Sequence, residues 1–198
     1  VDGGTIKLDG NYPTATGNVI LGNAAGSSLT SGYNNVAIGS SAFDTTTEGN
    51  SSVAIGENSL TANTTGSENT AVGQRSLYTN TTGSYNTAIG RQALTGNTSA
   101  NHNTAVGYQS AYSNTTGAQN TSLGRVSMYT NTTGNYNLAA GTVALYYNTT
   151  GSNNIALGVE ALNNNTTANN NTAVGYQALK ANTTAPENTA VGYRALSS

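Results

Sequence analysis

The 198-residue chain has no cysteine, a single histidine, a single phenylalanine and only 7% charged residues. Each scarcity closes off a class of function. Without cysteine there is neither a disulfide framework nor a thiolate metal site, and the redox compartment stays open. Soluble domains carry about 25% charged residues, so this composition does not build a large globular core behind a charged surface. The six cations, Lys7, Arg75, Arg91, Arg125, Lys180 and Arg194, are scattered, and the formal net charge is −2. Nucleic acid and anionic membranes both require a basic patch, so neither is an expected partner. No run approaches the roughly 18 apolar residues of a membrane span, so no membrane insertion is expected. No charged start followed by an apolar stretch marks a signal peptide. The chain begins at Val1, which reads as a processed product or a segment of a longer protein.

Catalytic material is equally short. A Ser-His-Asp arrangement would have to use His102, which stands at a variable bend position. The eight acids, Glu57, Glu68, Glu160 and Glu187 among them, fall at differing places and form no repeated pair. A glycosidase needs two such groups at a fixed separation. The recurrent Asp of calcium-binding repeats is missing as well. The sequence therefore points to no enzyme, no cofactor and no metal site.

What is present is a lattice. Glycine recurs at Gly22, Gly39, Gly56, Gly73, Gly90, Gly107, Gly124, Gly141, Gly158, Gly175 and Gly192, always 17 residues apart. Around it each unit reads Asn-Thr-Ala-Val-Gly, two variable residues, Ala-Leu, two variable residues, Asn-Thr-Thr-Gly and two more. Asn69 to Tyr85 and Asn103 to Gln119 are plain copies. A period of 17 is too short for a helix pair or a propeller blade and suits one turn of a solenoid. The period-two alternation of Thr104-Ala105-Val106 predicts a strand with Thr104 and Val106 on one face and Ala105 on the other. Glycine ends it. The Ala93-Leu94 patch is expected to return as a second, antiparallel strand, and Asn-Thr-Thr-Gly to turn the chain into the next coil.

The fold expected is thus all-β, a parallel β-solenoid of about eleven 17-residue coils over residues 18–198, with residues 1–17 as an N-terminal cap or junction. At a strand spacing of about 4.8 Å the coils span roughly 50 Å. Equivalent side chains become columns, and Asn69, Asn86, Asn103 and Asn120 are expected to form an amide ladder. Each coil offers about one Val or Ile and one Leu for burial, little against the entropy of ordering seventeen residues. A second buried face is therefore expected. The small columns, Ala71 to Ala105 and Ala93 to Ala195, are read as places where a neighbouring roll approaches. Self-association, as a closed homotrimer or a stacked filament, follows.

The unit Asn-Thr-Ala-Val-Gly-Tyr-Gln-Ala-Leu, at Asn171 to Leu179 and nearly at Asn188 to Leu196, resembles the head repeats of YadA-like trimeric autotransporter adhesins. It is similar also to tail-fibre repeats of bacteriophages, especially aquatic ones. The resemblance covers residues 18–198. It implies a left-handed parallel β-roll, three chains about one axis, an extracellular or virion-surface location and a role in attachment, with a host cell-surface glycan as a candidate partner. The adhesin repeat is shorter than 17 residues, so the Asn-Thr-Thr bend must alter the coil outline.

Three columns carry functional alternatives. Asn63, Asn80, Asn97, Asn114, Asn131, Asn148, Asn165 and Asn182 each begin Asn-x-Thr or Asn-x-Ser, the N-glycosylation acceptor pattern, set against plain turn chemistry. A glycosylated column would make the chain a sugar-coated filament. Tyr78, Tyr112, Tyr129 and Tyr146 share one column, and Tyr108, Tyr176 and Tyr193 another, read as packed stacks or as a glycan-contacting strip. The Thr132-Thr133 columns raise an ice-binding face, opposed by the alternation that points adjacent residues to opposite sides.

Overall fold

The computed structural model describes residues 17–198. The segment read as a cap, residues 1–17, lies outside the described residues except for Gly17. Eleven three-residue strands follow in order: β1 (Val19–Leu21), β2 (Val36–Ile38), β3 (Val53–Ile55), β4 (Thr70–Val72), β5 (Thr87–Ile89), β6 (Thr104–Val106), β7 (Thr121–Leu123), β8 (Leu138–Ala140), β9 (Ile155–Leu157), β10 (Thr172–Val174) and β11 (Thr189–Val191). They form one parallel sheet in sequence order, β1 to β11. The register is the repeat itself: Thr70 pairs with Thr87, Ala71 with Ala88 and Val72 with Ile89. The chain is a β-solenoid, and a 17-residue period has become vertical stacking.

Glycine ends each strand for two physical reasons. Gly73 adopts φ 128°, and a Cβ there would meet the carbonyl carbon and oxygen of Gly90 at 2.7 Å. Only a residue without a side chain lets successive coils close at that corner.

The second leg departs from expectation. Ala93-Leu94 is not a strand: Leu94 has φ 50°, as do Leu60, Leu145, Leu162 and Leu179 in their coils. Three columns of non-glycine residues, represented by Arg75, Leu77 and Tyr85, are left-handed in coil after coil. Such a conformation costs roughly 1–2 kcal/mol per residue. Hydrogen bonds between coils hold it in place, as when Leu77 N–H donates to Ala93 O at 3.0 Å and Leu94 N–H to Ser110 O at 3.0 Å. The return leg is a pile of identical turns instead of a second sheet.

The sense of the strand faces is also corrected. Ala71, Ala88 and Ala105 are fully buried, whereas Ile89 is 41% and Leu123 39% exposed. The small residues face into the coil and the bulky ones out of it. Leu60, Leu77, Leu94, Met128, Leu145 and Leu162 fill the interior from the return leg. A coil this thin has room for a large side chain from one leg only, so alanine on the strand is what admits leucine opposite. The alanine columns thus pack within the coil, and not against a neighbouring roll. The apolar core falls into two clusters, one ending at Ala111 and the other beginning at Met128. Between them Ser110, Ser122 and Ser127, all fully buried, hydrogen-bond to one another.

Candidate functional site

Asparagine is the chemistry that the rod repeats most. The Oδ1 of Asn86 accepts the backbone N–H of Asn103 at 2.9 Å, and its Nδ2 donates to Ala100 O at 2.8 Å. Eleven residues along the same coil, Asn97 Nδ2 donates to Asn80 Oδ1 at 2.7 Å and to that same Ala100 O at 3.1 Å. Two amide ladders therefore converge on one carbonyl in each coil from Asn69 to Ala168. The pattern repeats with Asn103 and Asn114 on Gly117 O at 2.9 and 2.8 Å, and with Asn120 and Asn131 on Gly134 O at 2.8 and 3.0 Å. The first ladder is the expected one. The second runs through the candidate glycosylation residues.

That placement decides what those residues do in the folded rod. Asn63, Asn80, Asn97, Asn114, Asn131, Asn148 and Asn165 are at most 1% exposed, and Asn182 is half-buried. Their Nδ2 atoms, where a sugar would attach, are the ladder donors. A glycan on any of the seven buried nitrogens has no room, so those side chains are rungs and not solvent-facing acceptors. The Asn-x-Thr spacing arises because Thr two residues on is wanted at the exposed bend: Thr65, Thr82, Thr116, Thr133, Thr150 and Thr167 are all exposed. Their inner neighbours, such as Thr115 and Thr132, donate their hydroxyls to the next coil's Thr carbonyl at 2.9 Å. The two threonines of the bend do point apart.

Outward-facing columns carry whatever recognition the rod has. On the sheet, the outer residues of every strand, such as Thr70 and Val72 on β4 or Thr104 and Val106 on β6, include no charged or amide side chain. The hydroxyls of Thr70, Thr87, Thr104, Thr121, Thr172 and Thr189 make no hydrogen bond among the described residues. On the return leg, Tyr112, Tyr129 and Tyr146 stack with ring centroids 5.1 and 5.2 Å apart. Tyr176 and Tyr193 stack at 5.3 Å and stand exposed. Arg75 lies over Tyr78 and Arg91 over Tyr108, at 5.5 and 5.8 Å from the ring centroids.

The titratable groups serve the surface in the same way. His102 is exposed and stacks on Tyr85, centroids 4.8 Å apart. Glu57 accepts a hydrogen bond from Gln74 at 2.7 Å. Glu160 takes one from Gln177 at 2.7 Å and an ion pair from Lys180, and these partners hold its carboxyl below the usual range. Among the described residues no three His, Asp or Glu side chains gather as a metal ion would need, and no helix is long and apolar enough to cross a membrane. Compared with models of known protein families, with curated proteins and with solved structures, the chain matches none.

Proposed function

We propose that the chain is a non-catalytic structural rod, one strand of a homotrimeric fibre shaft on a virion or cell surface that supports attachment to a host. The observation that carries this reading is the outer face of the sheet. Eleven strands in register present paired columns of Thr, Val, Ile and Leu, with Ala140 the one exception, and without one charge. With strands about 4.8 Å apart, the strip runs roughly 48 Å, and at about 10 Å wide it covers on the order of 500 Å². An uncharged strip of that size, with valine, isoleucine and leucine methyls along most of one edge, suits an interaction surface. Shared among three copies about an axis, it supplies the second buried face that one thin coil lacks. Closed cyclic symmetry leaves no sticky face over.

Native mass tests it directly. With a chain of 20.0 kDa, a trimer has three times that mass. Replacing Ile89 and Val106 by lysine places charge in the strip and is expected to disperse the assembly to single chains. A wild-type chain that runs as a monomer at micromolar concentration overturns the trimer.

One observation favours a second reading. The unbonded threonine hydroxyls on the sheet, repeated at strand spacing beside valine and isoleucine methyls, suit an ordered water surface such as ice. This column lies on the strand, not in the Thr132-Thr133 bend. Thermal hysteresis that is abolished by Thr104→Lys, in a chain shown to be monomeric, supports ice binding over the shaft.

A further inference from the structure

On the surface of the return leg the column that carries Tyr78, Tyr112, Tyr129 and Tyr146 is interrupted at Thr95 and ends at Asn163, and the second break borders a cleft. The column that holds Tyr112, Tyr129 and Tyr146 continues as Asn163 and Lys180, so the aromatic stack ends abruptly. Beside its last ring, Tyr147 stands edge-on, with centroids 4.7 Å apart and planes at 76°. Tyr147 is 51% exposed. Together with Arg125, Asn163, Glu160 and Lys180, the rings of Tyr129, Tyr146 and Tyr147 line a cleft of about 460 Å³. That volume lies within the range of small-ligand sites, and the lining combines aromatic rings with a few convergent polar groups.

The polar groups differ in how far they are already committed. Asn163 is 6% exposed, and its Nδ2 is fixed by Val143 O at 2.8 Å, which leaves Oδ1 as a positioned acceptor. Lys180 is held by Glu160, whose Oε2 accepts from both Lys180 and Gln177. Their charges cancel. Arg75 and Arg91 cover tyrosine rings elsewhere on the rod. Arg125 alone reaches the cleft with a guanidinium that makes no hydrogen bond, ion pair or ring contact among the described residues. Burial and the neighbouring tyrosines raise the Tyr129 hydroxyl above its ordinary value.

We propose that this cleft binds a short acidic oligosaccharide. A pyranose ring presents C–H bonds with partial positive charge, which meet the negative face of an aromatic ring, and Tyr147 offers that face to solvent. The sugar carboxylate pairs with the Arg125 guanidinium, whose planar fork matches it with two parallel hydrogen bonds. Asn163 Oδ1 accepts from a ring hydroxyl. The site stands on a single chain and belongs to the turn side, so it goes beyond the shaft reading and does not rest on the trimer.

The test is titration calorimetry of the full chain with 3′-sialyllactose and trigalacturonic acid, each against a neutral counterpart, lactose and maltotriose. The acidic sugars are expected to bind at least tenfold more tightly. Arg125→Gln is expected to remove that preference while neutral binding persists. Tyr147→Ala is expected to lose binding of both kinds at least tenfold. Both variants keep the wild-type melting temperature and native mass, which separates failure of the cleft from failure of the rod. Absence of any acidic preference, or acidic binding that survives Tyr147→Ala, overturns the proposal.

Discussion

The first three described coils and the coils after Asn69 solve the same packing problem with different chemistry. From Asn69 onward, each interior coil sets one amide at the start of its strand and a second eleven residues later, both on one carbonyl. Before that point Leu29 and Thr46 stand where the second amide belongs, and Ser52 stands where the first does. Gly32 O and Gly49 O accordingly receive one amide each, from Asn18 at 2.9 Å and Asn35 at 2.8 Å. The interior there is made up with apolar bulk instead: Leu29 is 6% and Phe43 1% exposed, and Ile20 packs against the same cluster. Polar ladders give register as well as cohesion, because a coil slipped by one residue would lose them all. Apolar filling gives cohesion only.

The largest break in this comparison is expected at Phe43. Phe43→Ala removes the biggest buried side chain of the early coils, and such truncations cost roughly 3–5 kcal/mol. Since coils touch only their neighbours, the loss is expected to open the start of the rod locally. Hydrogen exchange should show β1 to β3 deprotected while β6 to β9 stay protected. Uniform deprotection along the rod would mean that the coils unfold as one unit.

In the ladder region the corresponding break is Asn114→Ala. Asn114 donates to Asn97 Oδ1 and Gly117 O and accepts from Asn131, so its loss strands a buried acceptor on one side and a donor on the other. At roughly 1–3 kcal/mol per unsatisfied buried group, the cost is about 3 kcal/mol, read as a lower urea midpoint at fixed protein concentration. The same truncation at Thr46 is expected to cost less, about 1 kcal/mol for the one buried methyl it removes. Its buried hydroxyl has no partner to lose.

Much of this architecture was legible in the residues and some was not, for definable reasons. The spacing of Gly56, Gly73 and Gly90 fixes the register, because only vertical stacking brings each glycine under the next corner. The Asn69 to Asn120 ladder was legible for the same reason. Which strand face turns inward was not. Thr104-Ala105-Val106 alternates equally well either way, and bulk favours valine inside. The choice was made by the return leg, whose leucines need alanine opposite them. Nor did Ala93-Leu94 announce a left-handed backbone, since leucine is a poor residue for one. Gly26, in the column of Leu60 and Leu77, was the one local sign. The second amide ladder was hidden behind a sequence pattern, Asn-x-Thr, that serves turns, glycans and ladders alike.

A small effect is expected where one region is converted into the other. Thr46 occupies the second-amide position one coil before Asn63, fully buried, with its Oγ1 unpaired. Asn63 Nδ2 now has a single acceptor, Gly66 O at 2.9 Å, whereas Asn80 Nδ2 has both Gly83 O and Asn63 Oδ1. In Thr46→Asn the new Oδ1 stands where it can accept from Asn63, and the new Nδ2 where it can donate to Gly49 O, beside the existing bond from Asn35. An orphaned hydroxyl is thereby replaced by two hydrogen bonds that continue an existing ladder. At a net of about 0.5–1.5 kcal/mol for each bond, less the volume that asparagine adds to a filled interior, a gain of about 1 kcal/mol is expected. It should appear as slower hydrogen exchange confined to β2 to β4. If Thr46→Asn instead lowers stability while Thr46→Val raises it, the early coils are apolar by necessity, and the ladder cannot be extended into a core shaped around Phe43.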